Sequence, residues 1–436
     1  MSSTAFSMPV EWRPHVHVRR DGGVRGDAVV EPGAVHEVRA VLAERSPAVE
    51  AVLDEPMSDQ DLVAAVRAHL AGEATPLGAA VVAVLLGSEP RMADALVVEH
   101  GLPFAARAVV GMRCVEAHRN GYGNTALHLR RKDLDHNAAV GTARRLRSLL
   151  ATASDEEYEN ALLAVELQRT ALGAMAAASY LFPTRRDWVD DAFDEVERAN
   201  VTGYQRVLAH VSLSYAVSTA AQVERALTTR AVGRYLKDED ALYTVLDGVG
   251  ADALPAIAVL LEPHRELDGE VRDRVLETLV EFPTAEVFDA LLARLEVKRV
   301  LPAVLDLARR YPVLALERFV ASDDPRVEPL LERHLKGHPE SADAPSRPTG
   351  STCPRTCGRS STNCAERASK RRRWTRCPRS WWIRRGWSRR GPSRWNRWWS
   401  RGSRHRTTGR WSGNPASGPR GPRSSPTPAG RTTGLR

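Results

Sequence analysis

At 436 residues the chain has room for two or three domains or one extended helical stack, and its formal charge of +8 invites a nucleic-acid reading. The charge is divided, however. Residues 345–436 hold 23 Arg and one Lys against Glu366 alone, a net +23 that leaves −15 on residues 1–344, so the body repels phosphate.

Cys114 is the single cysteine before the tail, which excludes a disulfide framework there and fits a reducing, cytoplasmic setting. The N-terminus carries no apolar run resembling a signal peptide. No stretch reads as the roughly 18 apolar residues of a membrane span. Residues 1–34 read as an extended or poorly ordered segment, punctuated by Gly22-Gly23 and Pro32-Gly33.

From Val35 to about residue 225 the pattern predicts a helical bundle. Val38, Leu42, Val49, Val52 and Leu53 form an apolar set, broken at Ser46-Pro47, where one helix is expected to end and another to begin. Ser58-x-x-Asp61 reads as a capping-box variant ahead of Leu62, Val63, Val66 and Leu70. Thr75-Pro76 and Pro90 start further helices, and the Ala/Val/Leu run from Leu77 to Leu86 predicts a helix buried on most sides.

Asn120 to Asn137 interrupts the helices. Gly121-Tyr-Gly123 reads as a loop, followed by Arg130-Arg-Lys132, with His118, His128 and His136 in or beside it. Cys114 and His118 stand four apart and would share a helical face, which allows a metal site. The alternative is an exposed loop beside a buried free cysteine; familiar zinc spacings are absent, and no metal, cofactor or catalytic residue is assigned.

Ser154-x-x-Glu157 is a full capping box before Leu162, Leu163, Val165 and Leu167. Arg186-Asp-Trp188 opens a helix with Val189, Ala192, Phe193 and Val196 on one face. Its acids, Asp187, Asp190, Asp191, Asp194 and Glu195, suggest either a paired-carboxylate centre or a solvated face favoured by the helix dipole. The second fits better, because no His or Lys partner stands at a meaningful spacing. P-loop, GxGxxG, HExxH and GxSxG signatures are missing from the body.

Residues 226–340 predict stacked amphipathic helices. Val271, Val275, Leu276 and Leu279 share one face, and Val287, Leu291, Leu292 and Leu295 the next, with Thr284 as a cap between them. Asp324-Pro325 looks like another cap followed by proline. Leu254-Pro-Ala-Ile257 is echoed by Leu301-Pro-Ala-Val304, an offset of 47 residues at the upper end of HEAT and armadillo periods. The fold class expected is therefore all-α: an α-solenoid of HEAT- or armadillo-like helix pairs.

The remainder, 341–436, reads as a disordered Arg/Trp-rich tail. GC-rich coding DNA read in the wrong frame gives this mixture. Taking the last base of each codon with the first two of the next, Trp374-Thr375 must encode Asp, Trp381-Trp382 Val and Trp382-Ile383 Asp. Gly350 to Cys364 permits LDLPEDVRAVVDEL, and Trp374 to Gly386 permits DALPEVLVDPPW. Residues from about 345 onward are expected to be out of frame.

The segment LFPTRRDWVDDAFDEV (Leu181 to Val196), the repeats after it and the LPEVLVDPPW-like string resemble the bacterial molybdate-metabolism-regulator-like family. That resemblance implies an N-terminal helical-repeat region, sometimes a WGR module, and a C-terminal domain of unknown function. It brings no catalytic residues, and it implies that this chain is the amino-terminal part of a longer protein cut short by the frame change. The function expected is a non-enzymatic scaffold for a protein or peptide partner, a basic one given the acidic body. Two alternatives are a nucleic-acid-associated regulator using the Arg/Trp tail and a HEAT-like repeat DNA-processing enzyme. The latter would use Trp188 with Asp187 or Asp191.

Overall fold

Capping chemistry sets many of the helix boundaries. In the computed structural model, which describes residues 8–119, 126–133, 140–227, 229, 239–265 and 267–338, Thr75 accepts from Gly78 N–H, Ser154 from Glu157 N–H, Asp268 from Val271 N–H and Thr284 from Val287 N–H. Each bond satisfies a donor that the first helical turn leaves without a partner.

After a 3-10 turn (Val10–His15) come α1 (Ala34–Leu53), α2 (Gln60–Leu70), α3 (Pro76–Leu85) and α4 (Arg91–Met112). A hairpin of β1 (Val115–Arg119) and β2 (Leu127–Arg131) precedes α5 (Val140–Thr152), α6 (Asp155–Glu166), α7 (Leu172–Leu181) and α8 (Arg186–Arg198). Then follow α9 (Gly203–Ser214), α10 (Ala220–Leu227), α11 (Glu239–Val249), α12 (Leu254–Val259), α13 (Gly269–Val280) and α14 (Ala285–Leu292). The last are α15 (Val300–Arg310), α16 (Pro312–Ala321) and α17 (Glu328–Gly337). These elements lie in a compact unit, 1–346; a second unit, 347–436, lies outside the described residues, and so does the expected disorder of the tail.

The described residues are mostly helical, as the patterning predicts, with one departure. β1 and β2 pair antiparallel with Val115 opposite Arg131 and His118 opposite His128. The hairpin holds because Leu129 and Val115 are buried and because β2 bonds to the loop before α2: Asp59 N–H donates to Leu129 O (2.9 Å) and Leu129 N–H to Ser58 Oγ (3.0 Å). Ser58 is thereby taken from the capping role expected of it, and Asp59 caps α2 instead, accepting from Asp61 and Leu62 N–H.

Two boundaries and the 47-residue echo also differ from expectation. α1 runs through Pro47, which sits on the exposed face, where water can reach the Ala43 carbonyl that proline leaves without a donor. Asp324 bonds Arg326 N–H in a turn, and α17 begins only at Glu328. The 47-residue echo joins α12 to α15, which are not equivalent members of successive pairs. The pairs α12/α13, α14/α15 and α16/α17 begin at Leu254, Ala285 and Pro312, and α10, α12, α14 and α16 pack one on the next. Leu-Pro-Ala marks a helix start wherever one is needed, so its recurrence does not by itself establish a repeat.

Two apolar cores share a wall. One gathers α1–α6 and the hairpin, with Ala174, Ala177, Ala178 and Leu181 of α7 and Trp188 of α8. The other begins with Met8, Trp12 and Val16, takes Ala176 and the Val189, Ala192, Phe193, Val196 face of α8, and runs to Val327. Alanines on both faces of α7 let neighbours approach closely, and at Gly78 a Cβ would meet Ala65 O at 2.2 Å, so glycine sets the α2–α3 approach.

By length and composition α4 and the stretch Asp240–Val259 are apolar enough to cross a membrane, against the expectation of none. α4 is broken at Gly101 (φ 80°, ψ 168°), and Asp240–Val259 spans α11, a 3-10 turn and α12. Both carry buried residues of the two cores.

Candidate functional site

The capping box at Ser154 fixes the phase of α6, turning Tyr158, Ala161, Leu162 and Val165 inward. Leu163 and Leu167, one turn apart, are thereby turned outward, 58% and 89% exposed. Glu156, Glu159 and Glu166 are exposed on the same helical face, and none of them makes an ion pair among the described residues. The result is an apolar pair flanked by three glutamates, with Arg185 within electrostatic reach of two of them.

Beside it lies the start of α8. Trp188 is only 1% exposed, its ring held between the guanidinium groups of Arg169 (4.4 Å) and Arg185 (4.6 Å). Arg185 is raised above its usual range by its bond to Asp187, with the charges of Glu166 and Glu159 adding to the effect; that same bond lowers the Asp187 carboxyl. Arg169 pairs with Asp191 (3.0 Å), Gln222 with Asp190 (3.0 Å), and Arg225 with both Asp194 (2.7 Å) and Glu197 (3.0 Å). Glu195 pairs with Arg198. The acids of α8 therefore each meet a guanidinium or an amide, and Trp188 is a core residue under two arginines, not one open to a nucleotide.

The metal alternative also separates. α4 ends at Met112, so Cys114 lies in the turn after it and His118 on β1, and the shared helical face is not formed. Along a strand, four residues span about 13 Å. His118 stands instead against His128 across the hairpin (ring centroids 5.4 Å apart), and Glu116 is held by Arg130 and Lys132. Burial pushes the Cys114 thiol up, away from thiolate. Among the described residues no group of three His, Cys, Asp or Glu is placed to hold a metal ion; His136 lies outside them.

A third constellation was not visible in the sequence. The segment before α1 crosses both cores as a strap. Trp12 stacks on Tyr243 of α11 (4.4 Å, 7°), and His17 N–H donates to Thr244 Oγ1 (2.9 Å). Asp240 receives His17 Nε2 (3.2 Å), His15 Nδ1 (3.2 Å) and Arg144 Nη1 (2.8 Å). Burial alone would raise the Asp240 carboxyl, but the bond from His17 and the charge of Arg144 hold it below its usual range. With Asp240 ionised, the His17 proton sits on Nε2, and Nδ1 accepts from Tyr180 O–H (2.7 Å). Burial, with Arg147 and Arg144 nearby, lowers His17 to about 4.

Arg147, fully buried, donates to Val18, Tyr180 and Tyr215 carbonyls (2.9, 3.0 and 2.8 Å). Arg19 donates to Val217 O, Pro183 O and Ser218 Oγ (2.7, 3.1 and 2.5 Å). His17, Arg19 and Arg147 are buried, whereas the side chains of Asp240, Arg144 and His15 are 21%, 35% and 42% exposed, so the network reaches the surface at one side. What it does is fasten residues 12–24 across α5, α7 and α11.

Residues 33–232 match the family model of the YehI second domain. No curated protein matches the chain, and no solved structure does. The match corrects the resemblance to the molybdate-metabolism-regulator-like family. The Leu181–Val196 segment that suggested it lies inside the matched stretch, and its residues are those of a turn followed by an amphipathic core helix, which many helical families share. Just under half of the chain, α1 through α10, is thus similar to the YehI second domain.

Proposed function

We propose that the chain is a non-enzymatic, cytoplasmic helical-repeat scaffold, a solenoid of short HEAT- or armadillo-like helix pairs. Its α6 surface docks a basic, amphipathic segment of a protein partner. The observation that carries this is the exposed Leu163–Leu167 pair with Glu156, Glu159 and Glu166 beside it. Exposed leucines flanked by three glutamates suit an occupant with an apolar stripe and flanking Lys or Arg. The net −15 of residues 1–344 steers such a segment in at low salt. Succession of α10, α12, α14 and α16 supports the stacked architecture.

The test is fluorescence anisotropy with a labelled amphipathic Leu/Lys 18-mer. Saturable binding is expected, weakened about tenfold in a Leu163→Asp/Leu167→Asp double variant and again as salt is raised. Equal binding by the double variant removes the α6 surface from consideration. Binding to a duplex DNA probe that is lost with residues 345–436 would favour the nucleic-acid alternative.

A further inference from the structure

We infer that the stack of helix pairs continues past α17 in the other reading frame of the same coding DNA, and that the outer face of α16 is the seat of the next helix. The inference rests on the stacking part of the scaffold reading and not on the α6 surface.

The first observation is where apolar surface is left open. In the row α10, α12, α14, α16, the residues Ala256, Ile257, Phe288, Leu291 and Leu292 are buried, since each helix is covered by the next. α16 buries Ala315 and Phe319, but Val313 and Val320 remain 52% and 57% exposed, two turns apart on one side, with Glu317 between them. Tyr311 and Leu301 are exposed close by in sequence, and a shallow notch of about 390 Å³ opens along Arg310, Tyr311, Pro312, Val313, Leu314 and Glu317. A terminal repeat that ends a stack carries a polar outer face. This one presents valines.

The second observation is the code itself. Asn363-Cys364 must give Leu in the shifted frame, since either Asn codon ends in a pyrimidine and Cys begins with TG. Trp374-Thr375, Trp381-Trp382 and Trp382-Ile383 must give Asp, Val and Asp. Thr356-Cys357 must give Leu, Met or Val, and the permitted string LDLPEDVRAVVDEL, in which the proline and the other two Val are each one choice among several, places its three Val and the last Leu at i, i+3, i+4 and i+7. An apolar stripe of that spacing is what α13 and α14 use to bury themselves: Val271, Val275, Leu276, Leu279, and Val287, Leu291, Leu292. A helix of this kind, about 15 residues beyond α17, matches the open face of α16 in chemistry.

Sequencing the coding DNA over codons 340–400 is the first arm. The shifted frame is expected to run open through the helix and beyond; a stop codon within it overturns the inference. The second arm compares amide exchange in the full chain and in the frame-restored protein. Protection of Pro312–Ala321 is expected to rise at least tenfold on restoration, and Val320→Asp to reverse that gain while leaving exchange in the present chain unchanged. Equal exchange in the two proteins overturns the seat on α16. Loss of peptide binding at α6 would leave both results standing.

Discussion

His17 is neutral in the folded protein because burial, with the charges of Arg147 and Arg144 nearby, disfavours a second proton by more than the Asp240 carboxylate favours it, while Tyr180 O–H fills Nδ1. Its folded value near 4 lies below the unfolded value of 6.5, so the unfolded chain takes up the proton first as pH falls. Stability from this group is complete above pH 6.5 and declines by about 3 kcal/mol as pH drops toward 4. Urea unfolding midpoints from pH 7 to pH 4 should show this slope in the native protein and a flatter one in His17→Phe. Asp247 works against it: burial raises its carboxyl, so stability tied to that group is present at low pH and lost as pH rises through its folded value. An equal slope in His17→Phe would show that other groups set the acid sensitivity. At Trp188 the sequence left an aromatic beside carboxylates; only burial between two guanidiniums showed it to be packing.

At the scale of elements, caps decide more than propensity. Ser154→Ala removes the hydroxyl that accepts from Glu157 N–H, leaving the backbone bond from residue 154 N–H to the Glu157 carboxylate, and should cost about 1 kcal/mol, while Pro47→Ala within α1 should stabilise by roughly 1–3 kcal/mol. Thermal unfolding of the two variants reads these opposite shifts; a Pro47→Ala protein no more stable than its parent would mean that the proline's rigidity in the unfolded chain offsets its helix cost. The caps at Thr75, Ser154 and Thr284 were legible, since each places an oxygen three residues before an amide that needs one. Ser58 was misread for a tertiary reason: β2, about seventy residues away, takes its hydroxyl. The hairpin was unreadable as well, because Val115 and Leu129 are too few to give a strand pattern of their own.

For the whole molecule, the strap is the consequential feature. Trp12, His17, Val18 and Arg19 join α5, α7, the α9–α10 connection and α11 through contacts that span more than a hundred residues of sequence. Removing residues 1–24 is expected to raise amide exchange across α11 by at least tenfold while leaving α2–α4 near their original protection, since those helices belong to the other core. Uniform loss of protection would mean that the two cores unfold as one. The matched stretch, 33–232, excludes both the strap and α11, while the α5 and α7 groups that the strap bonds, Arg147 and Tyr180, lie inside it.

The sequence by itself determined the helical class, the apolar faces of α3, α8, α13 and α14, and the division of charge between body and tail. These follow from local periodicity and composition, which neighbours in sequence express directly. Tertiary structure alone decided the pairing of helices, the burial of Trp188, the separation of Cys114 from His118 and the assembly of the His17–Asp240–Tyr180 network. The Cys114–His118 separation follows from α4 ending at Met112; the others depend on which distant groups pack together, and no pattern along the chain records that distance.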